Sequence, residues 1–212
     1  MDAEFWQQRW ALKQTAFHAA EVHAMLTAHH GQLALPEASR VFVPLCGKTH
    51  DIDWLASRGH AVVGSELNRP AVEEVFDRMG KVPVASQEGE LTRLAAGDVE
   101  IFVGDHFQLT AEQLGPVDAI YDRAALVALP DAMRRVYAGH LMVLTQAAPQ
   151  LLIIFDYDQD MMDGPPFSVP ESEIQSLYGD VYKKTLLSRR TIGGPLAGRC
   201  SGNEEAWLLT RQ

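Results

Sequence analysis

The chain has two cysteines, Cys46 and Cys200, in 212 residues. Two thiols outside any CxxC pair do not make a disulfide framework, which suits a reducing compartment and predicts a cytoplasmic protein. Basic residues are few, 18 against 28 acidic ones, and the net charge is −10. A surface of that sign repels a phosphate backbone, so nucleic acid is not an expected partner, while small neutral or cationic ligands stay open. No apolar run approaches the roughly 20 residues that span a bilayer, and no membrane association is expected. The opening MDAEFWQQRW carries two acids and no apolar signal core, so no secretory peptide is predicted. Metal-ligand spacings are missing too. The eight histidines form no HExxH or Cys/His cluster, and no metal is expected.

What is present is ordinary for a folded chain: 47% hydrophobic and 22% charged residues, over a length that can bury a sizeable core. Helical spacing of Phe5, Trp6 and Trp10 predicts a helix over 2–12, followed by another over 18–30. RVFVPLC reads as a buried strand near 40–46 that stops at Gly47. From Lys48, the residues Ile52, Trp54 and Leu55 give the apolar face of a helix ending at Gly59. HAVVGSEL (60–67) is the next strand, and Pro70 opens a helix to about Met79.

A polar hairpin-like region (81–98) precedes two further strands, VEIFVGD (99–105) and VDAIYDR (117–123). A helix over 131–147 leads to LLIIFDYD (151–158), then to the rigid loop DGPPFSVP (163–170). After a helix over 170–178, YKKTLLSRR and EEAWLLTRQ read as two strands with no helix between them. The alternation of strand and helix predicts a doubly wound α/β fold, with a mostly parallel sheet and an antiparallel hairpin at one edge. No repeat or linker is visible, so one domain over 1–212 is expected, with a helical extension over about 1–35.

In such a sheet, ligands sit beyond the carboxyl ends of the strands, where strand order reverses. The residues expected there are Leu45-Cys46-Gly47, Glu66, Gly104-Asp105-His106 and Asp122-Arg123. Glu66 follows Gly47 by 19 residues, near the roughly 20-residue offset of a carboxylate that grips a ribose diol. The plainer reading of Glu66 is an exposed acid at a strand end. The turn itself has one glycine where a dinucleotide fingerprint has three, and Pro44, Leu45 and Cys46 hinder close approach to a pyrophosphate. A nucleoside without phosphates needs no such cradle. That tilts the choice from NAD toward S-adenosylmethionine, with a degenerate dinucleotide loop still open.

The sequence resembles the thiopurine S-methyltransferases in FWxxRW near the start, QTAFH, VFVPLCGKTHDIDWLASRGHAVVGSEL, DRAALVALP and GPPFSVP. The resemblance runs over nearly the whole chain. It implies a seven-stranded, Rossmann-like class I methyltransferase that uses S-adenosylmethionine, releases S-adenosylhomocysteine and acts on aromatic and heterocyclic thiols such as thiopurines. By the same resemblance, Trp10 packs on the cofactor, Leu45 and Glu66 contact it after the first two strands, and Asp105 and His106 lie beside the adenine. Arg123 is implied at both the cofactor and the reacting sulfur. Phe17 is implied near the thiol, and the position of Phe167 in the loop after the fifth strand suits a second wall of the same pocket.

Without the resemblance, Trp6 and Trp10 would be core packing of one helix face, and for Trp6 that reading stands. Cys46 reads as a buried structural thiol, since nothing pairs it with a histidine base. Rival readings are an NAD(P)-dependent reductase, a binding protein without turnover, and a methyltransferase for nucleic acid, protein or another small nucleophile. Selenium or tellurium species are further conceivable acceptors, and no residue selects among them. With no apolar helical seam, a monomer is expected.

Overall fold

The computed structural model describes residues 3–12, 14 and 20–212. Its strands are β1 (Arg40–Val43), β2 (Ala61–Glu66), β3 (Val84–Glu88), β4 (Leu91–Ala96), β5 (Val99–Val103), β6 (Ala119–Arg123), β7 (Gln150–Tyr157), β8 (Tyr182–Thr191) and β9 (Gly202–Arg211). They form a 9-stranded sheet in the order β3-β4-β5-β2-β1-β6-β7-β9-β8. The central β5-β2-β1-β6-β7 strands are parallel. On one side β9 pairs antiparallel with β7, and β8 antiparallel with β9. On the other, β4 pairs antiparallel with β5, and β3 antiparallel with β4.

All seven expected strands are present, including the terminal hairpin. The polar stretch 81–98 is more than a surface hairpin, because Leu91 and Leu94 point inward and carry β4 onto the edge of the sheet. Two exposed valines, Val82 and Val84, lie at this outer edge and masked the inward pattern.

The helices are α1 (Ala3–Ala11), α2 (Ala24–His29), α3 (Asp51–Ser57), α4 (Arg69–Arg78), α5 (Ala111–Leu114), α6 (Asp131–Leu144) and α7 (Glu171–Tyr178). Alternation along β6 shows how they cover the sheet. Ala119 and Tyr121 join a core with residues of α2, α3 and α4, while Ile120 joins a core with residues of α6 and α7. Each fully buried large apolar side chain, such as Phe42, Phe76 or Leu141, contributes about 1.5–3 kcal/mol.

Local chemistry sets the boundaries. Asn68 caps α4 by accepting the Ala71 amide at 3.0 Å, and Pro70 sits in the first turn. The helix expected over 131–147 stops at Leu144, because Gln146 and Ala147 take left-handed φ values of 51° and 56°. The helix expected over 18–30 is shorter, Ala24–His29, and continues as a 3-10 turn through Leu33. Residues 15–19 lie outside the described residues.

The chain builds β1, β2 and β5 to one side and then returns beside β1 to add β6 and β7. Strand order therefore reverses between β1 and β6, and the crevice above their carboxyl ends is where such sheets bind ligands.

Candidate active site

The turn after β1 is shaped by two left-handed residues, Leu45 at φ 47° and Gly47 at φ 54°. It is docked on β2, where the Cys46 amide donates to the Ser65 carbonyl at 2.9 Å and the Leu45 amide to Ser65 Oγ at 3.3 Å. Gly64 makes this docking possible, since a Cβ there would stand 2.9 Å from Cys46 Sγ. Cys46 is buried, and burial pushes its thiol pKa well up, as befits a packing residue.

Glu66 closes the same turn. Its Oε2 accepts the Gly47 amide and its Oε1 the Asn68 amide, both at 2.8 Å. The side chain is 6% exposed, and among the described residues no cation pairs with it. Burial raises its pKa, and the backbone hydrogen bonds only partly offset that. A desolvated carboxylate with one amide on each oxygen retains lone pairs for further donors. The plainer reading of Glu66 as an exposed strand-end acid therefore does not hold.

At the end of β5, the Gly104 amide donates to the Glu66 carbonyl at 2.9 Å. Gly104 has φ +140°, and a Cβ there would lie 2.5 Å from Leu91 Cδ2, so glycine is required. Asp105 is exposed and turns back to accept the Phe107 amide at 3.0 Å. The His106 ring points the other way, into the core, 3% exposed and stacked with Phe42 at 6.1 Å. Its Nδ1 meets Ser65 Oγ at 2.9 Å. Burial and then His140 lower its pKa to about 3, so the ring is neutral. Asp105 thus stays exposed beyond the end of β5, and His106 lies buried against Ser65.

Asp122 and Arg123 end β6 on opposite faces. Asp122 is fully buried, accepts the Tyr137 hydroxyl at 2.7 Å and the Leu126 amide at 3.2 Å, and joins β6 to α6. Arg123 is half-buried, and among the described residues it makes no hydrogen bond or ion pair. Two residues earlier on its face, Tyr121 donates to Asp51 Oδ2 at 3.0 Å, and Asp51 Oδ1 accepts the His23 amide at 2.7 Å. His23 Nε2 meets Glu204 Oε1 at 3.0 Å, and Arg190 Nε donates to Glu204 Oε2 at 2.7 Å. Burial disfavours the Glu204 carboxylate, but His23 and Arg190 outweigh it and hold the pKa below the usual range.

The DGPPFSVP loop is laid along the end of β7. Tyr157 donates through its amide to Ser168 Oγ at 3.0 Å and through its hydroxyl to the Pro166 carbonyl at 2.6 Å. The Phe167 amide donates to the Val127 carbonyl at 2.7 Å, which ties the loop backbone to the turn that follows Arg123, while the half-buried ring itself lies 5.8 Å from the Arg134 guanidinium. At the other rim, Lys48 Nζ lies 5.9 Å from the centre of the Trp10 ring, so α1 comes to the turn after β1. Leu45, Glu66 and Trp10 are thus gathered around one turn, with Arg123 two strands from Glu66 and Asp105 beside it. Phe17 lies outside the described residues.

Asp51, Tyr121, His23, Glu204 and Ser65 did not stand out in the sequence. Only Asp51 carried a signal, as an acid in the first turn of a helix; the others contribute through pairings between distant segments. Two clefts, of about 550 and 390 Å³, open at the amino-terminal ends of the strands. In the larger one Arg40 and Arg93 both pair with Glu100, so its cations are consumed internally. Among the described residues no three His, Cys, Asp or Glu side chains converge as metal ligands, and no helix is long and apolar enough to cross a membrane.

The family model described as thiopurine S-methyltransferase matches residues 1–212. A thiopurine S-methyltransferase of Xanthobacter autotrophicus is 50% identical over 212 residues, covering 100% of both chains. One from Gluconobacter oxydans is 45% identical over 209 residues, covering 99% of this chain and 95% of its own. The crystal structure of the Burkholderia thailandensis 1,6-didemethyltoxoflavin-N1-methyltransferase, with bound 1,6-didemethyltoxoflavin and S-adenosylhomocysteine, has a TM-score of 0.64. It is 15% identical and covers 99% of this chain and 87% of its own, a likeness of fold.

Proposed function

The chain belongs to the thiopurine S-methyltransferase family and is a methyltransferase; from that premise we propose that it methylates the sulfur of aromatic and heterocyclic thiols, thiopurines among them, with S-adenosylmethionine as donor. The observation that carries the donor assignment is Glu66: a buried carboxylate, free of any cation among the described residues, held by the Gly47 and Asn68 amides at the point where strand order reverses. A pair of vicinal hydroxyls is the ligand group that such an acceptor fits, through charge-assisted hydrogen bonds. The single-glycine turn fits a nucleoside without phosphates.

When bound, S-adenosylmethionine supplies a methyl group activated on a positively charged sulfur. Glu66 holds the ribose, the Leu45 backbone and the Trp10 ring flank the nucleoside and methionine, and Asp105 borders the adenine. His106 acts from below by fixing Ser65, which receives the Leu45 amide. Arg123 has a guanidinium not consumed by any carboxylate among the described residues. It favours the thiolate over the thiol, since a cation stabilises the ionised form. The thiol proton leaves to solvent, and heterocyclic thiols are acidic enough to need no strong side-chain base. Phe167 and, by the family resemblance, Phe17 would wall the acceptor and orient its sulfur for in-line attack. The enzyme acts as a cytoplasmic monomer on a small molecule, without nucleic acid, membrane or metal.

The test is transfer of a labelled methyl group from S-adenosylmethionine to 6-mercaptopurine, with Glu66→Ala as control. Labelled thioether from the wild type, much reduced in the variant, is the expected result. Cofactor binding without product would overturn the thiol assignment and leave a binding protein or a different nucleophile. Selenium and tellurium species belong in the same acceptor panel.

A further inference from the structure

Asp51 is a buried carboxylate for which the reaction above has no use. It is 1% exposed, and among the described residues no cation pairs with it. Its two oxygens are instead divided between distant parts of the chain, Oδ1 accepting the His23 amide at 2.7 Å and Oδ2 the Tyr121 hydroxyl at 3.0 Å. A buried carboxylate without a cation is an expensive way to join two segments, and packed apolar groups would stabilise the fold at less cost. What the arrangement supplies is fixed geometry, because each partner has one position at which it can donate.

The three segments it joins come from distant parts of the sequence, and two of them adjoin residues already named, Gly47 and Arg123. Asp51 opens α3, four residues beyond Gly47. Tyr121 shares a face of β6 with Arg123, and Arg123 is among the charges felt by the Tyr121 hydroxyl. His23 immediately precedes α2 and is held a second time through Glu204. None of these contacts involves the amides on Glu66, which come from Gly47 and Asn68.

We propose that Asp51 and Tyr121 are positioning residues for the methyl acceptor: together they fix the N-terminal segment at His23 relative to Arg123, so that the acceptor sulfur is presented in line with the methyl group. This rests on the proposed function, in which Arg123 and, by the family resemblance, Phe17 flank the thiol.

The variants are Tyr121→Phe, which keeps the buried ring, and Asp51→Asn, which keeps the shape and replaces one acceptor oxygen by a donor. Three quantities are read in the full chain: steady-state constants for 6-mercaptopurine at saturating S-adenosylmethionine, S-adenosylhomocysteine affinity by calorimetry, and hydrogen exchange of the His23 amide. Both variants are expected to raise the acceptor KM and lower kcat, each by about five- to tenfold, as one lost hydrogen bond and a slight misplacement of the acceptor would do. The S-adenosylhomocysteine Kd should stay within about twofold, and His23 should exchange faster. The double variant should be no worse than Asp51→Asn alone, because the two residues act as a unit. A lower Tm with unchanged constants per folded molecule would make the pair merely structural and overturn the proposal. A parallel loss of S-adenosylhomocysteine affinity would also overturn it, by moving the pair to the donor side. If Asp51→Asn does not fold, Tyr121→Phe decides alone. A wild type silent toward the thiol overturns the acceptor assignment and this role with it, whereas unchanged variants beside an active wild type overturn this role alone.

Discussion

The Tyr137 hydroxyl donates to Asp122 Oδ2 at 2.7 Å, so the residue next to Arg123 is committed to the core of the fold. Asp and Arg are adjacent in the DRAALVA motif, yet strand alternation sends them to opposite faces. The first serves α6, and the second makes no hydrogen bond or ion pair among the described residues.

This placement has a pH signature. Burial raises the Asp122 pKa from 3.8 to about 6, with the Tyr137, Leu126 and Ala125 hydrogen bonds offsetting only part of it. The folded state therefore holds this proton more tightly than the unfolded chain, and ionisation works against folding. The penalty is absent below the unfolded pKa, grows as pH rises from 3.8 to about 6 and is full above that, reaching at most about 3 kcal/mol. Asp122→Asn should flatten the dependence of Tm on pH across that window. An unchanged slope would show that the carboxylate is not the titrating group.

His30 titrates in the opposite sense. Its Nε2 lies 3.0 Å from His60 Nε2, and burial, His60 and Arg58 all lower its pKa below 6.5. The folded state binds this proton less readily than the unfolded chain, so the contribution of the pair is complete above the unfolded pKa and fades as pH falls below it. Thermal melts from pH 7.5 to 5 should show the wild type losing stability, and His30→Gln should lose less. Equal losses in both proteins would dismiss the pair as a pH-sensitive element.

Glu66→Gln tests the donor site without altering its volume. The amide nitrogen would face one of the two N–H groups that Glu66 now receives, and the charge-assisted bonds to a ribose would vanish. Affinity for S-adenosylhomocysteine should fall by about two orders of magnitude, as expected for loss of two hydrogen bonds to a charged group. In the wild type, binding should weaken toward acid pH as the carboxyl protonates, and its raised pKa makes that onset earlier than for an ordinary glutamate. Calorimetry across pH reads both effects, and a variant that binds like the wild type would remove Glu66 from the site.

Arg123→Met should reduce kcat/KM for a heterocyclic thiol by about 10²–10³, the range for loss of one electrostatic stabiliser. Without the cation the bound thiol ionises less readily, so the rising limb of the pH–rate profile should move to higher pH. Arg123→Lys should retain the charge but lose the planar fork and recover part of the rate. Full turnover with an unmoved profile in Arg123→Lys would show that the guanidinium has no special part.

Much of this architecture is written locally. Alternation of apolar runs with glycine and proline punctuation marks the central strands, because a parallel strand buried on both faces must be apolar throughout. The Gly47 to Glu66 offset is legible for the same reason, since it spans one strand–helix–strand unit, and the 2.8 Å contact closes it. The β3–β4 edge was less legible, because its outer valines are exposed and only two leucines face inward. Tertiary structure alone decided where His106 points, which of Asp122 and Arg123 enters the core, and that one carboxylate, Asp51, ties His23 to Tyr121 across 28 and 70 residues of sequence. Such pairings carry no local signal: they depend on which faces the sheet brings together, and a buried polar group finds its partner only once the core has closed around it.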